Sequence, residues 1–371
     1  MIKIVDLVYH CHEEYDQPGQ VLEKHSRSLG FVNLIKERVD YEVISHLDYE
    51  GKEMIDGVSY AYFKRGNEPW KIPFKTHRYI RSIKPDVVLV HGFIFPLQVI
   101  ALKLSVGNKC RIILHHHADQ PANSVRKVFQ KIADRTVDAY LFTSKEIAKP
   151  WLEHKIIRDE KRCIELLGAS TWMQQKDKAI CRTALGIEAS TVFLWVGRLN
   201  ANKDPMTVLA GFQRYLLKNP AAKLYMIYQT DELLEEISLL LNNNSFLKEH
   251  VQLVGKIPEN ELADWYSAAD VFISGSHSEG SGYALVEAMH CGCIPVVTDI
   301  PSFNTLTAKG RYGFLYKPGD IEALSKQLNN LQGLSLKDFS NEVLRYAQNH
   351  LSFKNIADEL FSLCEKLVSS Y

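Results

Sequence analysis

The run Val87-Val88-Leu89-Val90 constrains the fold of this chain more than any other feature. Successive strand residues point to opposite faces, so a strand that is apolar throughout must be covered on both sides. That requirement is met inside a parallel sheet flanked by helices. Similar short runs recur at Ile2–Val8, Tyr41–Ser45, Val58–Phe63, Ile112–Leu114 and Ala139–Phe142, and helix-length amphipathic stretches such as Leu22–Glu37, Pro96–Leu104 and Val125–Arg135 lie between most of them. The alternation predicts βαβ units in a doubly wound α/β fold.

The pattern then restarts. A polar stretch at Gln174–Lys178 and a helix ending near Gly186 lead into strands at Val192–Val196, Leu224–Tyr228, Val251–Val254, Val271–Ser274 and Ile294–Val297. A length of 371 residues suits two domains. The expected division is residues 1–171 and 172–353, two Rossmann-like domains facing a cleft, with a final helix at 354–371. In that helix Ile356, Ala357, Leu360, Leu363, Cys364 and Leu367 form one apolar stripe. Open sheets of this kind bind ligands beyond the carboxyl ends of their strands.

Residues 1–170 carry 26 Lys+Arg against 22 Asp+Glu, and the whole chain sums to zero, so nothing signals a nucleic-acid partner. Asp6 breaks the apolar start, which does not read as a secretory segment. No apolar tract reaches the ~20 residues of a membrane span. Seven cysteines without a C-x-x-C point to reduced thiols and a cytoplasmic location.

Two loops carry the chemistry. His277-Ser278-Glu279-Gly280-Ser281-Gly282-Tyr283-Ala284-Leu285-Val286-Glu287 follows a strand and opens a helix. Its glycines admit close backbone approach, and a helix N-terminus presents N–H groups to an anion. Val196-Gly197-Arg198-Leu199-Asn200-Ala201-Asn202-Lys203-Asp204-Pro205 also follows a strand, and its two cations suit a diphosphate. The chain has no G-x-x-x-x-G-K-[ST] and no D-x-D, which fits fixed cations in place of a metal.

Together, Gly197-Arg198-Leu199…Lys203-Asp204-Pro205 and Glu279-x7-Glu287 resemble the motifs of the GT-B-fold, retaining glycosyltransferases of family GT4 (glycosyltransferase group 1). The resemblance implies a hexosyltransferase-type enzyme that takes a nucleotide-diphosphate sugar as donor and needs no cofactor or metal. It implies that Arg198 and Lys203 bind the diphosphate and that Glu287 holds the ribose. Glu279 would contact the transferred sugar, with the backbone of Gly280, Ser281 and Gly282 close by. The N–H groups of Tyr283 and Ala284 would face the phosphates, and Lys256 and Ile257 would lie against the base. The last helix would return to the first domain. The acceptor would be a glycan or a lipid-linked polysaccharide precursor. An epimerase or a non-catalytic sugar-nucleotide binder on the same fold is the competing reading.

In the first domain, His115-His116-His117-Ala118-Asp119-Gln120-Pro121 resembles the family loop whose His reaches the donor sugar; His117 aligns with it, and His116 is the alternative. No metal is expected at the three-His run, because adjacent residues rarely point at one ion. His91 is expected either to pack at the sheet end or to touch substrate. The loop from His10 to Gly19 has a single glycine where the family commonly has a pair, and His25 follows on a helix facing the cleft. The basic amphipathic segment Ser124–Arg135 fits peripheral docking at the inner membrane face. Its apolar Val125, Val128, Phe129 and Ile132 fit packing against the sheet better.

Overall fold

In the computed structural model, residues 1–11, 19, 29–64, 70–117, 119–168 and 170–370 are described. The readings placed on residues 12–18, on His25 and on Ala118 fall outside them. The chain forms two units, Met1–Ala169 with Phe353–Tyr371, and Ser170–Ser352.

The first unit is built on an eight-stranded sheet of β1 (Ile2–Cys11), β2 (Val39–Leu47), β3 (Gly51–Ile55), β4 (Val58–Lys64), β5 (Val87–His91), β6 (Arg111–His115), β7 (Ala139–Phe142) and β8 (Cys163–Glu165). Their spatial order is β3-β4-β2-β1-β5-β6-β7-β8. Among the described residues, only the β3–β4 pair of this sheet is antiparallel. It turns on Asp56 and Gly57, whose φ values of 49° and 80° are those of a tight hairpin turn favoured by Asp-Gly. The sequence reading did not include β3.

Strand alternation is visible in the packing. Val88 and Val90 enter one core with Leu7, Ile112 and Leu114. Val87 and Leu89 enter the other, with Ile4, Ile113 and Leu141. That second core is closed by the last helix, Phe353–Ser369, through Phe353, Ile356, Ala357, Leu360 and Cys364. Arg111 Nε also donates to the Leu367 carbonyl at 2.9 Å. The apolar stripe of the final helix thus packs within the first unit.

The second unit holds six parallel strands: β9 (Thr191–Gly197), β10 (Ala222–Tyr228), β11 (Val251–Gly255), β12 (Val271–Ser274), β13 (Ile294–Thr298) and β14 (Phe314–Tyr316). Their order is β11-β10-β9-β12-β13-β14. Phe193, Trp195, Val271, Ile273, Ile294 and Val296 form one core with the helices Pro205–Leu216 and Ile321–Asn329. The chain runs outward from β9 to β10 and β11, then returns to lay β12 on the other side of β9. That reversal is the topological switch point, where open α/β sheets bind ligands. No helix among the described residues is long and apolar enough to cross a membrane.

Candidate active site

The two loops singled out in the sequence leave the carboxyl ends of β9 and β12, which are neighbours in the sheet. They are bonded to each other at several points. His277 N donates to the Asn202 carbonyl at 2.8 Å, and Asn202 Nδ2 donates to the Ser278 carbonyl at 3.0 Å. Asp204 stands in the left-handed region and caps the helix Pro205–Leu216, accepting from Thr207 N at 3.1 Å. Its other carboxylate oxygen lies 3.0 Å from His277 Nε2. A side chain at Gly275 would put its Cβ 2.7 Å from the Asp204 carbonyl oxygen. Glycine is therefore what permits the two loops to lie this close.

Lys203 and Glu279 form an ion pair across the loops. Glu279 Oε1 also accepts from Ser276 Oγ at 2.7 Å. The loop behind it is tied down where Thr298 Oγ1 donates to the Ser276 carbonyl at 2.5 Å and Tyr316 OH to the Ser274 carbonyl at 2.9 Å. Both charged groups are partly shielded from water, with 22% and 15% of their side chains exposed. Arg198, in contrast, is exposed and makes no ion pair among the described residues.

Gly282 precedes the helix Tyr283–His290 at φ 64°, and a Cβ there would meet Leu306 Cδ1 at 2.8 Å. The turn therefore needs glycine both for its dihedral and for its space. Leu285 and Val286 donate back to the Gly282 carbonyl. The leading N–H groups of a helix lack intrahelical partners and carry its positive dipole end. Glu287 is the fifth residue of this helix and only 3% exposed. It accepts from Tyr266 OH at 3.1 Å. Burial, followed by the adjacent Glu287, pushes the Tyr266 phenol well above its usual range, so it stays a donor. Lys256 and Ile257 follow β11 at the sheet edge, two strands from β9, with Gly255 at φ 86° making the turn.

The histidine loop of the first unit divides by strand alternation. His116 is buried, lies edge-on to Phe93 with ring centroids 5.4 Å apart, and approaches the Asp119 carbonyl through Nε2 at 2.9 Å. His117 is exposed and stacks on His91 at 4.9 Å. His115 is buried, and burial followed by His117 and His91 holds its imidazole well below the usual pKa. His91 Nδ1 lies 2.6 Å from His117 Nε2, and its Nε2 lies 2.6 Å from Asp6 Oδ1. Asp6 is fully buried on β1 and accepts from Tyr41 OH at 2.7 Å through its other oxygen. In the sequence Asp6 is visible only as a carboxylate interrupting an apolar strand, which does not reveal its histidine partner.

One expectation is overturned. Of the four apolar positions assigned to sheet packing on the helix Val125–Ala133, Phe129 is half-buried and the other three are exposed. Val125, Val128 and Ile132 are 68%, 56% and 41% exposed. Gln130 and Ala133 turn inward in their place, and Gln130 Nε2 donates to the Phe93 carbonyl at 3.2 Å. Trp70 and Phe74 are exposed as well, and the Arg126 guanidinium lies 5.6 Å from the Trp70 ring centre.

Residues 177–349 match the family model described as glycosyl transferases group 1. The chain is similar to the GDP-mannose:cellobiosyl-diphosphopolyprenol alpha-mannosyltransferase of Xanthomonas oryzae, 30% identical over 43% of each chain. It is also similar to the D-inositol 3-phosphate glycosyltransferase of Streptosporangium roseum, 28% identical over 42% of this chain and 38% of that one. The matched stretches thus span well under half of these two relatives. Among solved structures, Anabaena HepE in complex with UDP-glucose aligns over all of both chains with a TM-score of 0.72 at 13% identity. That likeness shows the GT-B fold.

Proposed function

We propose that this chain, whose residues 177–349 match the model of the group 1 glycosyl transferases, moves a hexosyl group from a nucleotide-diphosphate sugar to an acceptor hydroxyl, with retention. The observation that carries the reading is the pair of bonded loops at the β9/β12 switch point, which brings Arg198, Lys203, Glu279 and a helix N-terminus to the carboxyl end of the two central strands.

Arg198 and Lys203 hold the diphosphate and take up its charge as the glycosidic bond breaks, supported by the N–H groups of Tyr283 and Ala284. Glu287 holds the ribose and Lys256-Ile257 lie along the base. Glu279, with the backbone of Gly280, Ser281 and Gly282, positions the sugar, and His117 contacts it. The acceptor oxygen attacks on the face the diphosphate leaves, and the departing phosphate takes the proton. Two fixed cations serve the diphosphate, so transfer is proposed to proceed without a metal.

The panel that tests this is UDP, GDP, ADP and their sugars, followed by thermal denaturation with magnesium or with EDTA. One nucleotide series should stabilise the protein by roughly 2.7 kcal/mol at 100 times its dissociation constant. Failure of every nucleotide would remove the donor site.

The acceptor is proposed to be a lipid-linked glycan, met at the inner face of the membrane. The Xanthomonas oryzae relative is a transferase whose name includes a diphosphopolyprenol, and the exposed Val125, Val128 and Ile132 of this chain share a helix with Arg126, Lys127 and Lys131. Each Lys or Arg near an anionic surface adds about 1 kcal/mol. The protein should float with anionic liposomes at low salt, and the double change Val128→Asp and Ile132→Asp should keep it in the soluble fraction. Wild-type protein that stays unbound would end the docking idea without touching the donor site.

A further inference from the structure

His91 ends β5 and His115 ends β6, and the parallel register sets them side by side. His117 lies two residues on, so it returns to the same side of the chain as His115, while His116 faces the opposite way. Adjacent histidines diverge, but this set takes the alternate residues His115 and His117 and a third, His91, from the neighbouring strand. Ring centroids are 4.5 Å apart for His115 and His117, and 5.3 Å for His91 and His115. One nitrogen from each of the three rings lies within 4.8 Å of the other two.

We propose that His91, His115 and His117 form a seat for a divalent transition ion such as zinc, with Asp6 as its outer carboxylate. Three imidazoles suit zinc and its neighbours, and three protein ligands leave a fourth position for water or substrate. His91 has the arrangement of a ligand held from behind. Nδ1 faces the other rings, Nε2 lies 2.6 Å from Asp6 Oδ1 as a close charge contact outside hydrogen-bond geometry, and Tyr41 donates to the far oxygen of Asp6. A carboxylate behind a ligating histidine helps to orient the ring. His115 adds an independent sign. Its Nε2 is buried without a hydrogen-bond partner among the described residues, a state that buried polar atoms rarely keep.

Tetrahedral zinc with bonds of 2.0–2.1 Å needs its nitrogens about 3.3 Å apart, so His91 and His117 must open from their 2.6 Å contact. Any pair of nitrogens standing near the 4.8 Å limit must close by a similar amount. Binding would also occupy the histidine proposed to touch the donor sugar. This last consequence, inhibition of transfer by zinc, rests on the reading given above; the seat itself does not.

The test is zinc binding by the full chain, measured by competition with a chromophoric chelator and by X-ray absorption of the loaded protein. One zinc per chain with imidazole ligation is expected. His91→Gln and His117→Ala should each weaken binding by about tenfold or more, and Asp6→Asn by roughly 10–100-fold. His117→Ala changes an exposed side chain, so an unaltered melting temperature separates ligand loss from misfolding. Wild-type protein that takes up no stoichiometric zinc, or both histidine variants binding as tightly as wild type, overturns the seat. Zinc that binds through these rings and leaves transfer untouched supports the seat and refutes only the role of His117 in transfer.

Discussion

Arg198→Ala is expected to lower kcat/KM for transfer by about 10²–10³-fold while changing stability by no more than ~0.5 kcal/mol. Arg198 is exposed and unpaired among the described residues, so folding makes little use of its charge. Its proposed work arises only when a diphosphate departs. Lys203→Ala should lose as much activity but behave differently in a melt. Without the ammonium, a mostly buried Glu279 keeps the Ser276 hydroxyl as its side-chain hydrogen-bond partner among the described residues. That loss should cost about 1–3 kcal/mol. Diphosphate release followed alongside thermal denaturation distinguishes the two variants. If Arg198→Ala turns over like wild type, the diphosphate is not held at the end of β9.

The largest stability effect is expected from Phe353→Ala, a loss of about 3–5 kcal/mol. Phe353 begins the last helix and is 2% exposed. Its ring fills the space beside Gly30, where an added Cβ would collide with the ring. Truncation would leave a cavity between that turn and the strand face bearing Tyr41, Val43 and Leu89. The damage belongs to the first unit. Urea denaturation should show a lowered midpoint, while stabilisation by the donor nucleotide, a property of the second unit, persists. A drop below about 1 kcal/mol would mean that the helix end contributes little to this core.

The apolar strands were legible because burial on both faces leaves a run such as Val87–Val90 that no half-exposed strand shows. β3 was not, since Gly51-Lys52-Glu53-Met54-Ile55 is half polar and lies at the sheet edge. Its turn, Asp56-Gly57, was the readable part. The three-residue strands β8 and β14 are too short to show a period. Each half of the candidate donor site could be found by its residues, but their adjacency could not. Seventy or more residues separate Lys203 from Glu279, and only the return of the chain to the far side of β9 makes them neighbours. The same holds for His91 and His115, which meet through the β5–β6 register. For the helix Val125–Ala133, the apolar residues were visible but the face presented to the sheet was not. Gln130, a polar residue, takes the inward position through its bond to Phe93.

The cross-bonds between the β9 and β12 loops have a thermodynamic consequence. Asn202, His277, Asp204 and Ser278 hold the segments around Arg198 and Glu279 in place with bonds that involve none of the groups proposed to touch the donor. The conformational entropy of these loops is therefore lost when the domain folds, and the ligand does not have to supply it on arrival. A nucleotide sugar would meet dipoles already oriented, so more of its binding energy remains for the transition state.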